Sequence, residues 1–425
     1  MTLLSRLVKR ESRGDVINVA VTGAGFIGRG MVYQIDRFPG MRTALIINRT
    51  AKRAVDSFVH AGRHGDDIIV SDDVRRLQQA IDAGDAAVTC RAEVLREVRG
   101  IDVVVEVTGA VEYGAEVALY AIEGGKHVVM MNAETDATVG CALKRRADGA
   151  GVVYTNSDGD QPGVLKRLVD YVQGLGFEIV AAINCKGFMD IHATPETIRP
   201  WAEKQNTSLP MTTAFTDGTK MNIENAVLAN ATGLVPDVRG MHGIETNLAG
   251  ALADCLAAFT RRGVVDYTLG GDFGGGVFVI GRGENPVMIQ PYMQYLKMGG
   301  GPEYLFFRPY HLCHYETPLS IAEALLDGEP TIAPLGRPVV EVVTIAKRDL
   351  KPGDVLDGIG GYACYGEIDA AAGASGLLPI GLADGAVMMR PVMCDRPISY
   401  DAIELPRESL LMRLRREQER LADAA

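Results

Sequence analysis

The sequence of 425 residues predicts an α/β protein with an N-terminal doubly wound parallel sheet, an α+β middle region and a small β-rich C-terminal region. Three observations lead to this fold class. From Val16 onward, apolar strands alternate with glycine turns and helices, which is the pattern of a parallel sheet covered by helices. From about Asn156 the chain changes to scattered polar residues and longer loops. Beyond the proline-rich "PTIAPLGRP", short β runs and turn signals dominate.

These changes predict three domains, at residues 1–155, 156–335 and 336–425, with a helix near 315–328 packing back on the first domain. In the first domain the predicted strands are "VINVAVT", "RTALIINRT", "GIDVVVEVTGA", "HVVMMNAE" and "GVVYTNS", and "DDVRRLQQAIDAG" is a predicted helix.

The middle and C-terminal regions are less regular. "FEIVAAINCKGF" predicts a strand and "TPETIRPWAEKQNTS" a helix. "FTDGTKMNIENAVLANATG", residues 215–233, predicts one helix, because its apolar residues recur at helical spacing and it stops at a glycine. "VFVIGRGENPVMIQPYMQYLKM" predicts two strands joined by a turn at "RGENP". The terminal "RESLLMRLRREQERLADAA" predicts an amphipathic helix.

Composition excludes several classes of protein. Apolar residues make up 47% of the chain and charged residues 23%, as in ordinary globular proteins. The net charge of −11 opposes binding to nucleic acid or to anionic lipid, since both attract basic surfaces. Seven cysteines without a CxxC pair suit a reducing compartment, and no apolar run is long enough to span a bilayer. We therefore expect a cytoplasmic protein with a small-molecule substrate.

A glycine motif follows the first strand. "VAVTGAGFIG" places three glycines so that the first permits a tight turn, the second lets backbone approach a pyrophosphate, and the third lets helix and strand pack closely. The N–H groups at the start of the next helix then face the anion. The sequence predicts a dinucleotide-binding Rossmann domain in which the loop residues that bind the cofactor are Gly23, Gly25, Phe26, Ile27 and Gly28.

The end of the second strand bears on the choice of nicotinamide cofactor. A site that prefers NAD usually has an acidic residue there to hold the ribose 2′-hydroxyl, whereas this chain has Asn48 and Arg49. Arginine can pair with the extra phosphate of NADP. We predict NADP, with NAD as the alternative; an ordinary solvated Arg49 is the competing interpretation.

Polar residues also follow later strands. The carboxyl ends of parallel strands line the ligand crevice of a doubly wound sheet. We therefore expect Thr108, Gly109 and Asn132 to contact the cofactor and Glu134 to contact the substrate, although strand ends are commonly polar for structural reasons.

The GxGxxG unit, "EVTGA", "VVMMNAE", "NSDGDQPG", "DGTKMNIENAVLANATGL" and "FFRPYHL" together resemble the homoserine dehydrogenase superfamily. Within it they are similar to the branch of oxidoreductases that resemble 1-deoxy-D-xylulose 5-phosphate reductoisomerase. Ala133 follows Asn132 as in that branch, where homoserine dehydrogenases usually have lysine. The tail from about Pro338 resembles a SAF domain. The resemblance implies reduction of a carbonyl by a homodimer.

Hydride transfer to a carbonyl builds negative charge on its oxygen, so the site needs a cation or proton donor there. The resemblance assigns this chemistry to Lys186, Asp217 and Lys220, with Lys220 as proton donor and Asp217 as the residue that orients it. A helix N-cap is the alternative role for Asp217, and a solvated surface position is the alternative for each lysine.

Other polar residues are candidates for substrate binding. Asn222 lies on the same predicted helix as Lys220, and Arg308 and His311 are candidates for gripping a carboxylate or phosphate. Asp158 and Asp160 can hold a divalent metal or make local turn bonds, so the sequence leaves the metal unknown.

The sequence therefore predicts an NADP-dependent oxidoreductase that reduces a small, hydroxylated, anionic aldehyde or ketone. A reductoisomerase acting on a sugar phosphate such as 1-deoxy-D-xylulose 5-phosphate is the specific form of this hypothesis. A homoserine-dehydrogenase-like or sugar-modifying dehydrogenase is the alternative enzyme. An NADP-binding sensor or assembly protein is the alternative outside enzymes.

Overall fold

The structure is a computed structural model that describes residues 2–205, 207–406 and 408–423. The chain forms two compact units. The first unit contains Met1–Asp160, Leu312–Gly336 and Ser409–Ala425, and the second contains Gln161–His311 and Arg337–Glu408. Each unit is thus assembled from separate segments of the chain. The three expected domains stay a prediction, because compactness alone does not define a domain.

The strands are β1 (Ile17–Thr22), β2 (Met41–Ile47), β3 (Ile68–Val70), β4 (Ala86–Thr89), β5 (Val103–Glu106), β6 (His127–Met130), β7 (Tyr154–Asn156), β8 (Phe177–Lys186), β9 (Ile244–Glu245), β10 (Val264–Leu269), β11 (Val277–Gly283), β12 (Glu303–Arg308), β13 (Val340–Ala346), β14 (Cys364–Ala370), β15 (Val387–Met388) and β16 (Ile403–Glu404).

The helices are α1 (Leu3–Glu11), α2 (Phe26–Arg37), α3 (Ala51–His60), α4 (Val74–Ala83), α5 (Val111–Glu123), α6 (Ala133–Ala150), α7 (Gln161–Gly174), α8 (Pro195–Gln205), α9 (Leu209–Thr216), α10 (Thr219–Thr232), α11 (Ala251–Ala258), α12 (Pro286–Tyr295), α13 (Cys313–Leu326) and α14 (Leu410–Asp423).

The first unit is built on a seven-stranded sheet in the order β3-β4-β2-β1-β5-β6-β7, and every neighbouring pair is parallel. Its strands are almost wholly apolar because helices cover both faces. Fully buried Val19 and Val21 of β1 pack with Met31 and Ile35 of α2. This confirms the predicted doubly wound α/β fold.

Two later segments complete the first unit. Helix α13 packs against α2, and Gly30 of α2 permits this contact, because a Cβ there would lie 2.6 Å from Nε2 of His314. Helix α14 packs against α5 and α6 with Leu411 and Leu414 buried, as its amphipathic pattern predicts. Helices α13 and α14 therefore cover apolar surface of the helices that flank the sheet.

The second unit contains a mixed five-stranded sheet in the order β12-β11-β8-β10-β9. One face carries Ile183 and Cys185 of β8, which pack with Ala251 and Cys255 of α11. On the opposite side, α7 packs on β8 and β11, and α10 packs on α7 and β10. Alternate residues of β8, such as Asn184 and Lys186, therefore face the α7 and α10 layer.

The β-rich segment 337–408 forms two antiparallel pairs, β13 with β14 and β15 with β16. It is joined to α10 by polar side chains of that helix. Thr219 Oγ1 accepts from Gly366 N at 2.9 Å, and Asn222 Oδ1 accepts from Ile368 N at 2.8 Å. Asn230 Oδ1 accepts from Val339 N at 2.8 Å. These bonds explain why a closely packed helix carries amides.

Two predicted elements are wrong. Residues 215–233 do not form one helix, because α9 ends at Thr216 and α10 begins at Thr219, with Gly218 at φ +84° between them. The predicted second strand after "RGENP" is helix α12, because Asn285 caps its N-terminus by accepting from Met288 N and Pro286 starts it.

Within the described part of the chain, every helix is too short or too polar to cross a bilayer. The seven cysteines are not joined in disulfides.

Candidate active site

The glycine loop after β1 has the geometry that a pyrophosphate requires. Gly23 adopts φ +102°, which favours glycine. A Cβ on Gly28 would lie 2.1 Å from the carbonyl oxygen of Gly23, so only glycine allows this approach of helix and loop. A Cβ on Gly25 would meet no atom within 4 Å, so the space above that residue is open. Gly25 is the N-cap of α2 and offers no side chain, which leaves the N–H groups of Phe26 and Ile27 to a ligand.

Asn48 connects this loop to the end of β2. Its Oδ1 accepts from Ala24 N at 3.1 Å, and its Nδ2 donates to Thr50 O at 2.8 Å. Arg49 is exposed beside it. The structure thus brings the glycine loop, Asn48 and Arg49 together at the carboxyl edge of the sheet, where β1 lies between β2 and β5.

Thr108 and Gly109 lie after β5, next to the same loop. A Cβ on Gly23 would be 3.2 Å from Cγ2 of Thr108, and Gly109 has φ +72°. Thr108 N donates to Oε1 of Glu106 at 2.9 Å. Glu106 is fully buried, and burial raises its pKa to about 7.

Asn132 caps α6. Its Oδ1 accepts from Thr135 N at 3.1 Å and its Nδ2 donates to Ala110 O at 3.1 Å. Glu134 is buried in the first turn of α6. On the same helix, burial raises the pKa of Asp136 to about 6, and Tyr154 Oη donates to its Oδ2 at 2.9 Å. Buried acids therefore line this edge of the sheet.

In the second unit, Lys220 pairs with a buried carboxylate that also acts electrostatically on Lys186. Lys220 Nζ lies 3.9 Å from Glu224 Oε1, and the two side chains are only 7% and 5% exposed. Burial lowers the pKa of the Lys186 ammonium below its ordinary value, while the carboxylates of Glu224 and Asp217 act in the opposite direction. Lys186 also lies over the ring of Phe215, 5.8 Å from its centre. A buried ammonium with a lowered pKa is a better proton donor near neutrality.

Asp217 is held by a residue that sequence reasoning missed. Lys347 Nζ donates to Asp217 Oδ2 at 2.9 Å, and also to the carbonyl oxygens of Ala193 and Gly361. Asp217 Oδ1 accepts from Thr219 N at 2.9 Å at the start of α10. Asp217 therefore pairs with Lys347, whereas the predicted partner was Lys220. The N-cap of α10 is Gly218, and Asp217 is the C-cap of α9. A lone lysine after the strand "VVEVVTIA" offered no distinctive signal.

Asn222 uses both amide atoms within the protein fold. Its Nδ2 donates to Gly218 O at 2.9 Å, and its Oδ1 accepts from β14. These bonds give it a structural role, and its predicted contact with substrate stays a prediction.

A second missed residue is Asn184 of β8. It is fully buried, and neither of its amide atoms has a partner among the described residues. Strand register places Asn184 beside Val277, and Val277 beside Arg308, so these three residues form a row across the sheet. Directly paired residues point to the same face of a sheet, so Arg308 faces the same side as Asn184 and Lys186. Two strand spacings separate the Cα atoms of Arg308 and Asn184 by about 10 Å. The sequence did contain a signal for this residue, because an asparagine inside the otherwise apolar "IVAAINC" is unusual for a buried strand.

The remaining candidates have local contacts. The guanidinium of Arg308 lies 4.9 Å from the ring centre of Tyr310, and Nδ1 of His311 lies 2.5 Å from Gly275 O. Asp158 Oδ1 accepts from Gly159 N at 2.9 Å, as expected of a turn aspartate. Asp160 is partly buried.

The described structure therefore contains two groups of candidate residues. The first unit brings together the residues predicted to bind the cofactor, with Glu134 nearby in sequence to Asn132. The second unit brings together Lys186, Lys220 and Asp217, with Arg308 on the sheet face of Lys186.

Two family models of known proteins match the chain, one over the residues predicted to bind the cofactor and one over the residues that carry the lysine cluster. Residues 23–153 match the family model described as the NAD binding domain of homoserine dehydrogenase. Residues 159–317 match the model described as the catalytic domain of oxidoreductase DRL. No curated protein sequence matches the chain significantly.

Solved structures of low identity share parts of the fold. GenD2 from gentamicin A biosynthesis, in complex with NAD, is 12% identical over 74% of this chain and 88% of its own, with a TM-score of 0.39. Biliverdin reductase from Synechocystis sp. PCC 6803, in complex with biliverdin and NADP+, is 12% identical over 74% and 92%, with a TM-score of 0.38. The family models identify the chain as an oxidoreductase that uses a nicotinamide cofactor.

Proposed function

We propose that this NAD(P)-dependent oxidoreductase uses NADP to reduce the carbonyl of a small, hydroxylated, anionic substrate. The observation that carries the proposal is the cluster in the second unit, where the buried carboxylate Glu224 pairs with Lys220 and also acts electrostatically on Lys186. Buried ammonium groups suit a reaction in which negative charge develops on a substrate oxygen.

The residues of the first unit fit a bound dinucleotide. The open space at Gly25 and the first N–H groups of α2 suit a pyrophosphate, and Arg49 suits the 2′-phosphate of NADP. The nicotinamide supplies the hydride when it is bound.

The chain's own residues supply the proton and the charge. We assign Lys220 as the donor that gives its proton to the alkoxide oxygen, with Glu224 holding the ammonium. Lys186 adds a second positive charge, and its lowered pKa suits proton exchange near neutrality. The Lys347 and Asp217 pair positions the start of α10, on which Lys220 lies.

The substrate class follows from the groups that face this cluster. The buried amide of Asn184 can bind a substrate hydroxyl, and Arg308 can bind a phosphate or carboxylate on the same sheet face. We therefore propose a phosphorylated ketose such as 1-deoxy-D-xylulose 5-phosphate, with reduction coupled to rearrangement of the carbon skeleton. The β-rich segment 337–408 is proposed as a SAF-like module that supplies Lys347 to the site.

A homoserine-dehydrogenase-like activity is the second candidate, because the cofactor domain matches that family. Ala133 after Asn132 is the observation against it, since those enzymes usually have lysine there.

The test is NADPH oxidation by the purified full chain with a panel of phosphorylated ketoses, and homoserine oxidation in reverse. Lys220→Arg keeps the charge beside Glu224, but an arginine does not give up its proton near neutrality. We expect kcat to fall by about 10²–10⁴-fold in this variant, with NADPH affinity unchanged. Lys204→Arg, at an exposed position of α8, is the control and is expected to leave kcat unchanged.

Wild-type turnover in Lys220→Arg would show that Lys220 is not the proton donor. Tight NADPH binding by the wild-type protein, without turnover on any carbonyl of the panel, would instead favour the sensor.

A further inference from the structure

A histidine, a cysteine and an aspartate of the second unit meet at one point away from Lys220. His192 Nε2 lies 2.9 Å from Asp395 Oδ1 and 3.9 Å from Cys394 Sγ. One ligand atom from each of the three residues lies within 4.8 Å of the other two. His192 lies in the segment between β8 and α8, whereas Cys394 and Asp395 form a turn 202 and 203 positions further along the chain.

We propose that His192, Cys394 and Asp395 bind a divalent zinc-type metal ion. Imidazole, thiolate and carboxylate are the ligands that zinc takes in proteins, at about 2.0–2.3 Å. In a tetrahedral site these bond lengths separate neighbouring ligand atoms by about 3.3–3.6 Å. The observed 2.9 and 3.9 Å bracket that range, so small side-chain rotations produce the coordination geometry.

The backbone holds these ligands in place. His192 N donates to Asp190 Oδ1 at 3.1 Å, and Asp190 N donates to Thr216 O at 2.9 Å. Cys394 N donates to Asp349 Oδ1 at 2.9 Å, and Asp395 N donates to Ala346 O at 2.8 Å. The site is therefore preorganised on both of its chain segments.

Neighbouring side chains support the metal ligands. The hydroxyl of Tyr365 donates to Asp395 Oδ1 at 3.3 Å, which orients the carboxylate as partners of metal ligands commonly do. His192 and Asp395 are about half exposed, so an ion can enter from solvent. The three ligands leave a fourth position for water.

The geometry argues against a nucleophilic cysteine. A thiol, imidazole and carboxylate relay uses both ring nitrogens, one for the nucleophile and one for the carboxylate. Here the same atom, Nε2 of His192, is nearest to both Cys394 and Asp395. Three ligand atoms within 4.8 Å of one another, with no imidazole ring placed between thiol and carboxylate, suit a metal site better than a relay.

Metal binding would also affect the neighbouring charged residues of the second unit. The residue after His192 is Ala193, whose carbonyl oxygen accepts from Lys347, and Cys394 Sγ contacts Lys347 O at 3.4 Å. A bound ion would therefore clamp segment 190–193 to the β-rich segment beside the Lys347 and Asp217 pair. The site does not depend on the reductase proposal.

The test is Zn²⁺ binding by the chelator-treated full chain, measured by competition with a chromophoric chelator. We expect one high-affinity Zn²⁺ per chain, with affinity at least about 100-fold weaker in Cys394→Ser and in His192→Gln. The control is Cys90→Ser, which removes an exposed thiol of the first unit and is expected to leave affinity unchanged. Absence of a stoichiometric site in the wild-type protein, or its persistence in both ligand variants, would overturn the proposal.

Cobalt distinguishes a lost ligand from a lost fold. Co²⁺ bound to the wild-type protein should show a thiolate charge-transfer band that is absent from Cys394→Ser and present in Cys90→Ser. The circular dichroism spectrum of Cys394→Ser should match that of wild type. A band that persists in folded Cys394→Ser would rule out Cys394 as a ligand.

Discussion

At the scale of single residues, Lys347 shows how this protein accommodates a buried charge. Its ammonium donates to three oxygens, one of them the carboxylate of Asp217, and the two side chains are 2% and 0% exposed. All three donors of the ammonium are thereby used. Removal of one partner leaves the other charge buried and unpaired, which costs more than the pair contributes.

Glu106 is a buried acid with a predictable effect on stability. Its pKa is about 7 in the folded protein and about 4.5 when unfolded, so the folded state binds the extra proton between these values. The contribution of protonated Glu106 to the free energy of unfolding is therefore complete below about pH 4.5 and is lost as the pH rises through about 7.

Glu106→Gln keeps an acceptor for Thr108 N and cannot ionise. We expect the free energy of unfolding of the variant, relative to wild type, to rise between pH 5 and pH 8 by on the order of 3 kcal/mol. Urea denaturation at both pH values measures this difference. An equal pH dependence in the two proteins would show that Glu106 is not the group that titrates.

Arg49 tests the choice of nicotinamide. A charge-assisted bond to the 2′-phosphate contributes about 1.5 kcal/mol or more, so Arg49→Ala should weaken NADPH binding about tenfold and leave NADH binding unchanged. Fluorescence titration with both nucleotides measures the ratio. Arg75→Ala, which removes an exposed arginine of α4, is the matched control. An unchanged ratio in Arg49→Ala would remove the argument for NADP.

At the scale of elements, α6 depends on α14. Val139 interrupts α6 at φ −141°, which kinks the helix there. Buried Gln418 of α14 bonds the backbone at this kink, because its Oε1 accepts from Cys141 N at 3.0 Å and its Nε2 donates to Thr138 O at 3.0 Å.

Gln418→Leu fills the same space without these bonds. It removes the side-chain acceptor of Cys141 N, which costs about 1–3 kcal/mol, whereas Thr138 O still accepts from Arg415 Nη1 at 3.3 Å. We therefore expect the free energy of unfolding to fall by about 1–3 kcal/mol. Glu417→Ala, which breaks the adjacent surface ion pair with Arg146, should cost less than about 1 kcal/mol. Equal losses in the two variants, measured by chemical denaturation, would contradict this role for Gln418.

At the scale of the whole molecule, the chain returns twice to its first unit. Segment Leu312–Gly336 and segment Ser409–Ala425 both belong to the unit that begins the chain. The first unit therefore depends on α13 and α14, which are the last two α-helices of the chain to be synthesised.

A chain that ends at Glu408 tests this dependence. It lacks buried Leu411 and Leu414, each of which contributes about 1.5–3 kcal/mol, and the hydrogen bonds of Gln418. We expect a lower unfolding temperature and weaker NADPH binding. Leu414→Ala should show a smaller change in the same direction, and an unchanged unfolding temperature in the shortened chain would contradict the dependence.

The sequence by itself determined the parallel sheet, the glycine loop and the helical character of most of residues 215–233, although not the break within them. These features arise from local causes, since strand and helix periodicity, positive φ at glycine and capping act over a few residues. The local rules failed at Gly218, where a helix breaks, and at Asn285, where a helix begins. In both places the deciding signal was one residue.

Only the tertiary structure decided which charges pair. Asp217 and Lys347 are 130 positions apart, and His192 and Cys394 are 202 positions apart. Such pairs carry no periodic signal, because their proximity depends on how the β-rich segment packs against α10. The same packing decided that Asn222 joins α10 to β14.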